Sequence, residues 1–225
     1  MNSKYKILKY KSDKTNKIED LISIEEPLEI SIKFKNHGIW TKNIISITMR
    51  TPGNDEDLVR GFLFNEKIIE KNEFIEKIES AGEKVGEYKL KNKIIVTLNN
   101  SENVDIDKIK RNFLTNSSCG VCGKTSLDSL EIIKKDKVLK SLPKITKETI
   151  IKSPSILRDN QSEFSKTGGI HASGLFKSNG EIVSIREDVG RHNALDKLIG
   201  YSLNKEILDP PSQFIACSGR LNFEL

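Results

Sequence analysis

Short stretches of alternating apolar and polar residues punctuate the first half of the chain. Residues 29–34 (EISIKF) and 44–49 (IISITM) repeat with the period of two that puts one set of side chains on each face of a strand. Residues 55–64 (DEDLVRGFLF) change to a helical period, with Leu58, Phe62 and Leu63 on one side and Asn54 placed to cap the first turn. Ile94 to Leu98 reads as another strand, and Asp105 to Leu114 as a short helix or an extended lead-in. In the second half, residues 125–133 and 146–161 read as helices. Residues 170–176 and 181–186 read as a strand pair turning at Ser178–Asn179–Gly180, residues 190–203 as a helix and 213–217 (QFIAC) as a buried strand. Helix, strand pair, helix, strand is the order of an α/β layered fold.

At 225 residues the chain fits one large domain, or a main domain with a smaller satellite. The pattern divides it into a tail over 1–18, an α+β subdomain over 19–115 and an α/β core over 116–225. The net charge of +5 raises the question of nucleic acid, but it is concentrated at one end. Residues 1–17 hold six Lys and one Asp, which leaves 31 basic and 31 acidic residues in the remainder. The excess therefore reads as a flexible, solvated arm, with neither nucleic acid nor membrane as partner. No apolar run reaches membrane-spanning length and no signal-peptide stretch opens the chain, so a cytoplasmic location is expected. Three cysteines do not make a disulfide framework.

Chemistry concentrates in residues 117–124, SSCGVCGK. Cys119 and Cys122 stand two residues apart, and Gly120 and Gly123 let the backbone turn so that both sulfurs face one side. Lys124 and the helix expected from Thr125 would both lower a nearby thiol's pKa and make thiolate available near neutral pH. Three readings are open: half of a zinc site, a redox dithiol, or a carrier in which one thiolate holds a persulfide. Zinc would need two further ligands, and neither a second cysteine pair nor a spaced histidine pair is present. The redox reading wants the pair to open a helix directly after a strand, whereas here it follows the loop-like FLTNSS.

Three glycine-containing turns mark the last third of the chain: TGGIHASG (167–174), REDVGRHN (186–193) and SGR (218–220). Such turns let backbone N–H groups approach an anion, and a helix opening after Gly190 would aim its N-terminus at one. Of the seven arginines, Arg186, Arg191 and Arg220 fall in or beside these turns, and arginine grips phosphate through two parallel bonds. Gly168, Gly169, His171, Gly190, Arg191, His192, Gly219 and Arg220 are therefore the candidate residues for a phosphate-bearing ligand. His37 reads as an ordinary turn residue and Cys217 as a buried small hydrophobe. His171–Ala172–Ser173 superficially matches the H-x-E of zinc deaminases, but Ser173 replaces the Glu that shuttles protons. The cysteine pair also precedes the histidine and follows Ser118 rather than a proline, so deaminase activity is excluded.

Taken together, MRTPGNDEDLVRGFLFNEKII (49–69), SSCGVCGK (117–124), TGGIHASGLF (167–176), EDVGRHNALDKLIG (187–200) and SGRLNFEL (218–225) resemble the FdhD family, the formate dehydrogenase accessory sulfurtransferases, from about residue 25 onward. The resemblance implies a protein that takes sulfur from a cysteine desulfurase and passes it to the molybdenum or tungsten bis-molybdopterin guanine dinucleotide cofactor of formate dehydrogenase. It implies the persulfide on Cys119 with Cys122 assisting, a cytidine-deaminase-like three-layer α/β/α core, and a homodimer. The opposing expectation is a non-catalytic maturation chaperone that binds the cofactor and keeps its cysteine pair for structure. The resemblance implies that family members continue past the SGR segment, so a chain ending at Leu225 is expected to be either a C-terminally truncated form or a fragment.

Overall fold

A computed structural model describes residues 1–11, 14–36, 38–99 and 142–221. The alternation in the first half becomes β3 (Glu26–Asn36), which turns Leu28, Ile30, Ile32 and Phe34 inward and Lys33 and Lys35 outward. It pairs antiparallel with β4 (Ile39–Arg50) and parallel with β6 (Leu90–Leu98), whose outer edge carries β5 (Ile75–Val85) in the sheet order β4-β3-β6-β5. Helix α1 (Asp55–Asn65) covers the inner face, packing Leu58, Val59 and Leu63 against the Ile94, Val96 and Leu98 side chains of β6. Asn54 stands at the cap position in the left-handed region, yet its side chain makes no cap hydrogen bond. The acidic first turn, Asp55, Glu56 and Asp57, complements the helix dipole instead.

The second half builds a three-stranded antiparallel sheet in the order β8-β7-β9, from β7 (His171–Lys177), β8 (Ile182–Asp188) and β9 (Gln213–Cys217). Two helices, α2 (Lys147–Asp159) and α3 (Ser162–Thr167), lead into it. Thr146 caps α2 by accepting the Thr149 amide. Pro154 lies inside α2, where its missing N–H would have met the Ile150 carbonyl; the Ser153 hydroxyl donates to that carbonyl at 3.0 Å. Leu157 packs with Ala172 and Phe176, and the Phe176 ring stacks on Phe214.

Helix α4 (Arg191–Asn204) joins the two sheets by lying directly on α1. The approach is backbone to backbone: a Cβ on Gly61 would stand 1.9 Å from the Asp196 carbonyl oxygen, and one on Gly200 would stand 1.8 Å from that of Asp57. No side chain larger than hydrogen fits at either crossing point.

Two expectations change. The segment expected as a flexible arm is strand β1 (Asn2–Lys11), hairpinned with β2 (Lys14–Ser23) in a register running from Asn2↔Ser23 to Lys11↔Lys14. Its lysines are spread over both faces, because Ile7 and Leu8 break the alternation, and the ladder pairs Ile7 with Ile18 and Lys6 with Glu19. The hairpin is tied to α3 by Asn2 donating to Glu163 at 2.9 Å and by a Ser23–Thr167 hydroxyl contact at 2.8 Å. Second, among the described residues β9 stands at the edge of its sheet, where QFIAC is only half-buried and Ile215 is 40% exposed. Strand β5, which the sequence pattern does not mark, carries no alternation: its half-buried residues Ile75, Ile78 and Ala81 fall three apart and the ladder to β6 shifts register twice. The elements expected over 105–114 and 125–133, and His37, lie outside the described residues.

Candidate functional site

The turn from β8 into α4 is organised by one buried carboxylate. Asp188 is fully buried, and its Oδ1 accepts the Gly190 amide at 2.9 Å and the Asn193 side-chain amide at 3.2 Å. Its Oδ2 accepts the Thr51 amide at 3.1 Å and lies 2.7 Å from the Lys197 ammonium, which is buried as well and also donates to the Thr51 carbonyl. Asn193 in turn donates to the Met49 carbonyl at 2.7 Å. Thus residues 49–51 after β4 and residues 188–197 around the α4 start, 137 positions apart at the Thr51–Asp188 bond, form one polar network. It also changes the role expected for Gly190: its amide answers Asp188 rather than an incoming anion.

From this scaffold Arg191 enters a cluster formed by three turns. A Cβ on Gly219 would stand 3.2 Å from His171 Nδ1 and 3.3 Å from Arg191 Cβ, so the SGR turn packs closely against both side chains. Arg191 Nε is buried without a hydrogen-bond partner among the described residues. His171, at the start of β7, also lines a cavity of about 550 Å³ together with Gly168, Gly169, Gln161 and Cys217. Gly168 ends α3 in the left-handed conformation, at φ 68°. His192 is the half-buried second residue of α4, and Arg220 is exposed beyond Gly219. The turns singled out in the sequence therefore do meet, at His171, Arg191 and Gly219.

Other arginines of the chain are occupied with structure. Arg186 reaches Asp57 of α1 at 3.4 Å, donates to the Ile185 carbonyl at 2.8 Å, and lies 3.7 Å above the Tyr201 ring, so it braces the sheet against the helix pair. Burial pushes the Asp57 carboxyl above its usual range, with Arg186 opposing the shift. Arg50, buried, grips Asp55 through two bonds of 3.0 and 2.9 Å. Cys217 is half-buried with its thiol 3.4 Å from the Ser173 hydroxyl, and burial raises its pKa. That makes Cys217 a weak nucleophile. Cys119 and Cys122 lie outside the described residues.

Sequence reasoning passed over Asp188, Asn193, Lys197, Thr51 and Glu187. Glu187 accepts the amides of Glu163 and Phe164, each at 2.9 Å, and so fixes the start of α3 beside the cavity. A signal for Lys197 was present: it follows Ala194 by three and precedes Leu198 by one, on the stripe that α4 buries.

Residues 24–225 match the pattern of the FdhD/NarQ family. A protein of Sulfolobus acidocaldarius named sulfur carrier protein FdhD is 40% identical over 222 residues, spanning 99% of this chain and 78% of its own. Its namesake in Picrophilus torridus is 42% identical over 208 residues, or 92% of this chain and 73% of its own. A crystal structure described as a formate dehydrogenase accessory protein from Desulfotalea psychrophila superposes with a TM-score of 0.59 at 20% identity, covering 98% of this chain and 74% of that one, and so shares the mixed α/β fold. With the family pattern running through the hydrogen-bonded turns as well as the strands that carry them, the chain belongs to the FdhD/NarQ family.

Proposed function

We propose that the protein is a sulfur carrier of formate dehydrogenase maturation, a sulfurtransferase that accepts sulfur on Cys119, assisted by Cys122, and delivers it to a bis-molybdopterin guanine dinucleotide bound as cargo. The observation that carries the reading is the joint presence of SSCGVCGK and the interlocked glycine turns in a chain 40% identical to a named sulfur carrier. Cargo phosphates would meet Arg191, whose Nε is buried without a partner among the described residues, and His171 and Gly219 beside it, with Gly168 and Gly169 in the adjoining cavity and His192 and Arg220 next in sequence to Arg191 and Gly219. A guanidinium is suited to that task because its fork matches two phosphate oxygens at once.

The loading step is thiol exchange. The Cys119 thiolate attacks the terminal sulfur of a persulfide on a cysteine desulfurase; the donor's S–S bond breaks, a new one forms on Cys119, and the donor cysteine leaves as thiolate. No external oxidant or reductant is consumed. In this reading the α/β half is a cytidine-deaminase-like three-layer core without the proton-shuttling Glu, since Ser173 stands in its place on β7. The protein acts in the cytoplasm as a homodimer.

Intact mass after incubation with a cysteine desulfurase and cysteine tests the assignment. A one-sulfur adduct is expected on the unaltered chain and on Cys217→Ala, and none on Cys119→Ala. Persulfide that still forms when Cys119 and Cys122 are both replaced would refute the carrier role.

A further inference from the structure

Strand β4 is amphipathic in the opposite sense to its neighbour β3. Through the β3 register, Thr41, Asn43 and Thr48 lie on the core side with Phe34, Ile32 and Leu28, and the bulged Ile45 is the apolar residue that β4 buries there. The outer face carries the other apolar residues: Trp40 opposite Lys35, Ile44 opposite Ser31, Ile47 opposite Glu29 and Met49 opposite Pro27. All four are at least 38% exposed, and Ile44 reaches 60%. A single exposed apolar residue is ordinary, whereas a continuous row of them marks an interaction surface.

The backbone of β4 is open as well. Among the described residues its one sheet neighbour is β3, and its other edge is stopped at Met49, whose carbonyl accepts the Asn193 side chain. Residues 39–47 therefore stand as a template for a further strand, with neither proline nor acidic residue among them. Lys42 is the one charged side chain on that stretch, and Lys33 and Lys35 stand beside it on the outer face of β3. The ammonium groups of Lys33 and Lys35 lie 4.9 and 5.3 Å from the centre of the Trp40 ring, which holds the indole along the sheet. Glu29, the nearest carboxylate on this face, is engaged by Lys93 at 3.3 Å. The outer face thus runs from a lysine-rich end at residues 40–42 to an apolar end at Ile44, Ile47 and Met49.

We infer that β4 is a docking edge for an extended segment of a partner protein, acidic at one end and apolar at the other, which adds to the four-stranded sheet as a fifth strand. Main-chain bonds along residues 39–47 supply the attachment, and the side chains across the new ladder supply the choice: carboxylates meet Lys42 and the lysine pair behind it, and β-branched residues cover Ile44 and Ile47. Charge decides against the other occupants. A second copy brings the same three lysines to the ladder, and like charges directly opposed there are destabilising. A lipid surface is entered by apolar side chains that stand out from the protein, whereas two lysines hold the Trp40 indole flat.

Trp40 is the chain's only tryptophan, so its emission reports on this face alone. The full chain is titrated with a synthetic peptide in which glutamates and then valines alternate with threonines, made in both sequence orders so that either strand direction is open. Two controls carry lysine for glutamate, or proline for the central threonine. One order of the glutamate peptide should move Trp40 emission to the blue and bind about tenfold or more tightly than its lysine counterpart, since opposite charges across a ladder attract and like charges repel. The proline peptide should not bind, because it lacks a ladder donor. Lys42→Glu should reverse the preference between glutamate and lysine peptides, and Ile44→Ser should weaken both; each side chain is exposed, and the peptide controls on the unaltered chain stand without either variant. Anisotropy of labelled peptide repeats the isotherms without the indole. Equal binding of the glutamate and lysine peptides would overturn the proposal, as would undiminished binding of the proline peptide. A Trp40 that acrylamide does not quench in the free chain would overturn it too, by showing the edge already covered, by a second copy where sedimentation finds a dimer. A blue shift given by phosphatidylserine vesicles and by no peptide would assign the face to a membrane instead. None of these readouts involves sulfur, so the docking edge and the carrier assignment stand or fall separately.

Discussion

Replacing Asp188 by Asn keeps the shape of the side chain but removes its charge and turns one acceptor into a donor. Four donors now converge on that carboxylate: the amides of Thr51 and Gly190, the Asn193 side chain and the Lys197 ammonium. In the variant Lys197 remains buried with the Thr51 carbonyl as an acceptor but no carboxylate charge beside it, and one donor N–H faces an NH2 group. Breaking a buried ion pair on one side costs about 3–5 kcal/mol, because the surviving charge is left without compensation. That is a large share of a native margin of about 5–15 kcal/mol. Lys197→Met should cost less, since the carboxylate keeps its three other donors. The double variant should then lie well short of the sum, with a coupling of about 0.5–3 kcal/mol for residues in one network. Urea unfolding followed by circular dichroism supplies all four corners of the cycle. Additive losses, or a loss below about 1 kcal/mol for Asp188→Asn, would show that the network is ornamental and that the turn is held by its backbone alone.

Two further expectations follow from the helix pair. Ala at Gly61 or Gly200 should lower the melting temperature by several degrees, since the added methyl would overlap a backbone carbonyl of the facing helix; the propensity gain of about 1 kcal/mol for Gly→Ala in a helix would raise it instead if the crossing were loose. Asp196, on the same crossing, has its carboxyl raised to about 8 by burial, with the nearby charges of Glu66 and Asp188 adding to the shift and the Asn65 hydrogen bond opposing it. Because the folded state holds that proton more tightly than the unfolded chain, stability should fall as pH climbs from the ordinary carboxylate range to about 8. Asp196→Asn should flatten this slope in urea midpoints measured across the window, and an unchanged slope would assign the pH dependence elsewhere.

The elements that read clearly in the sequence are those with an apolar face turned to the four-stranded sheet's core. Leu28 to Phe34 alternate because β3 turns one face into the core that α1 covers, and Leu58 and Leu63 keep the helical period on the side of α1 that joins that core, while Gly61 faces α4. Elements with little burial left no such trace: the hairpin of residues 2–23 is mostly exposed and is held by cross-strand pairing, which a one-dimensional pattern does not record. The candidate site divides in the same way. Glycines, His171 and Arg191 stood out because turns constrain residue type locally. Asp188 and Lys197 did not, since their partners at Thr51 lie far away in sequence, and Arg186 looked like a ligand residue until Asp57 and Tyr201 were found beside it.

The bare crossing of α1 and α4 has a mechanical meaning. Side chains between helices act as bearings, changing rotamer to let one rod slide past the other; at Gly61 and Gly200 there are none, and each peptide unit rests in the notch of its neighbour. The joint therefore behaves as a keyed seat: it fixes how α4 lies on α1, and with it where Arg191, at the head of α4, stands relative to the strands that α1 covers.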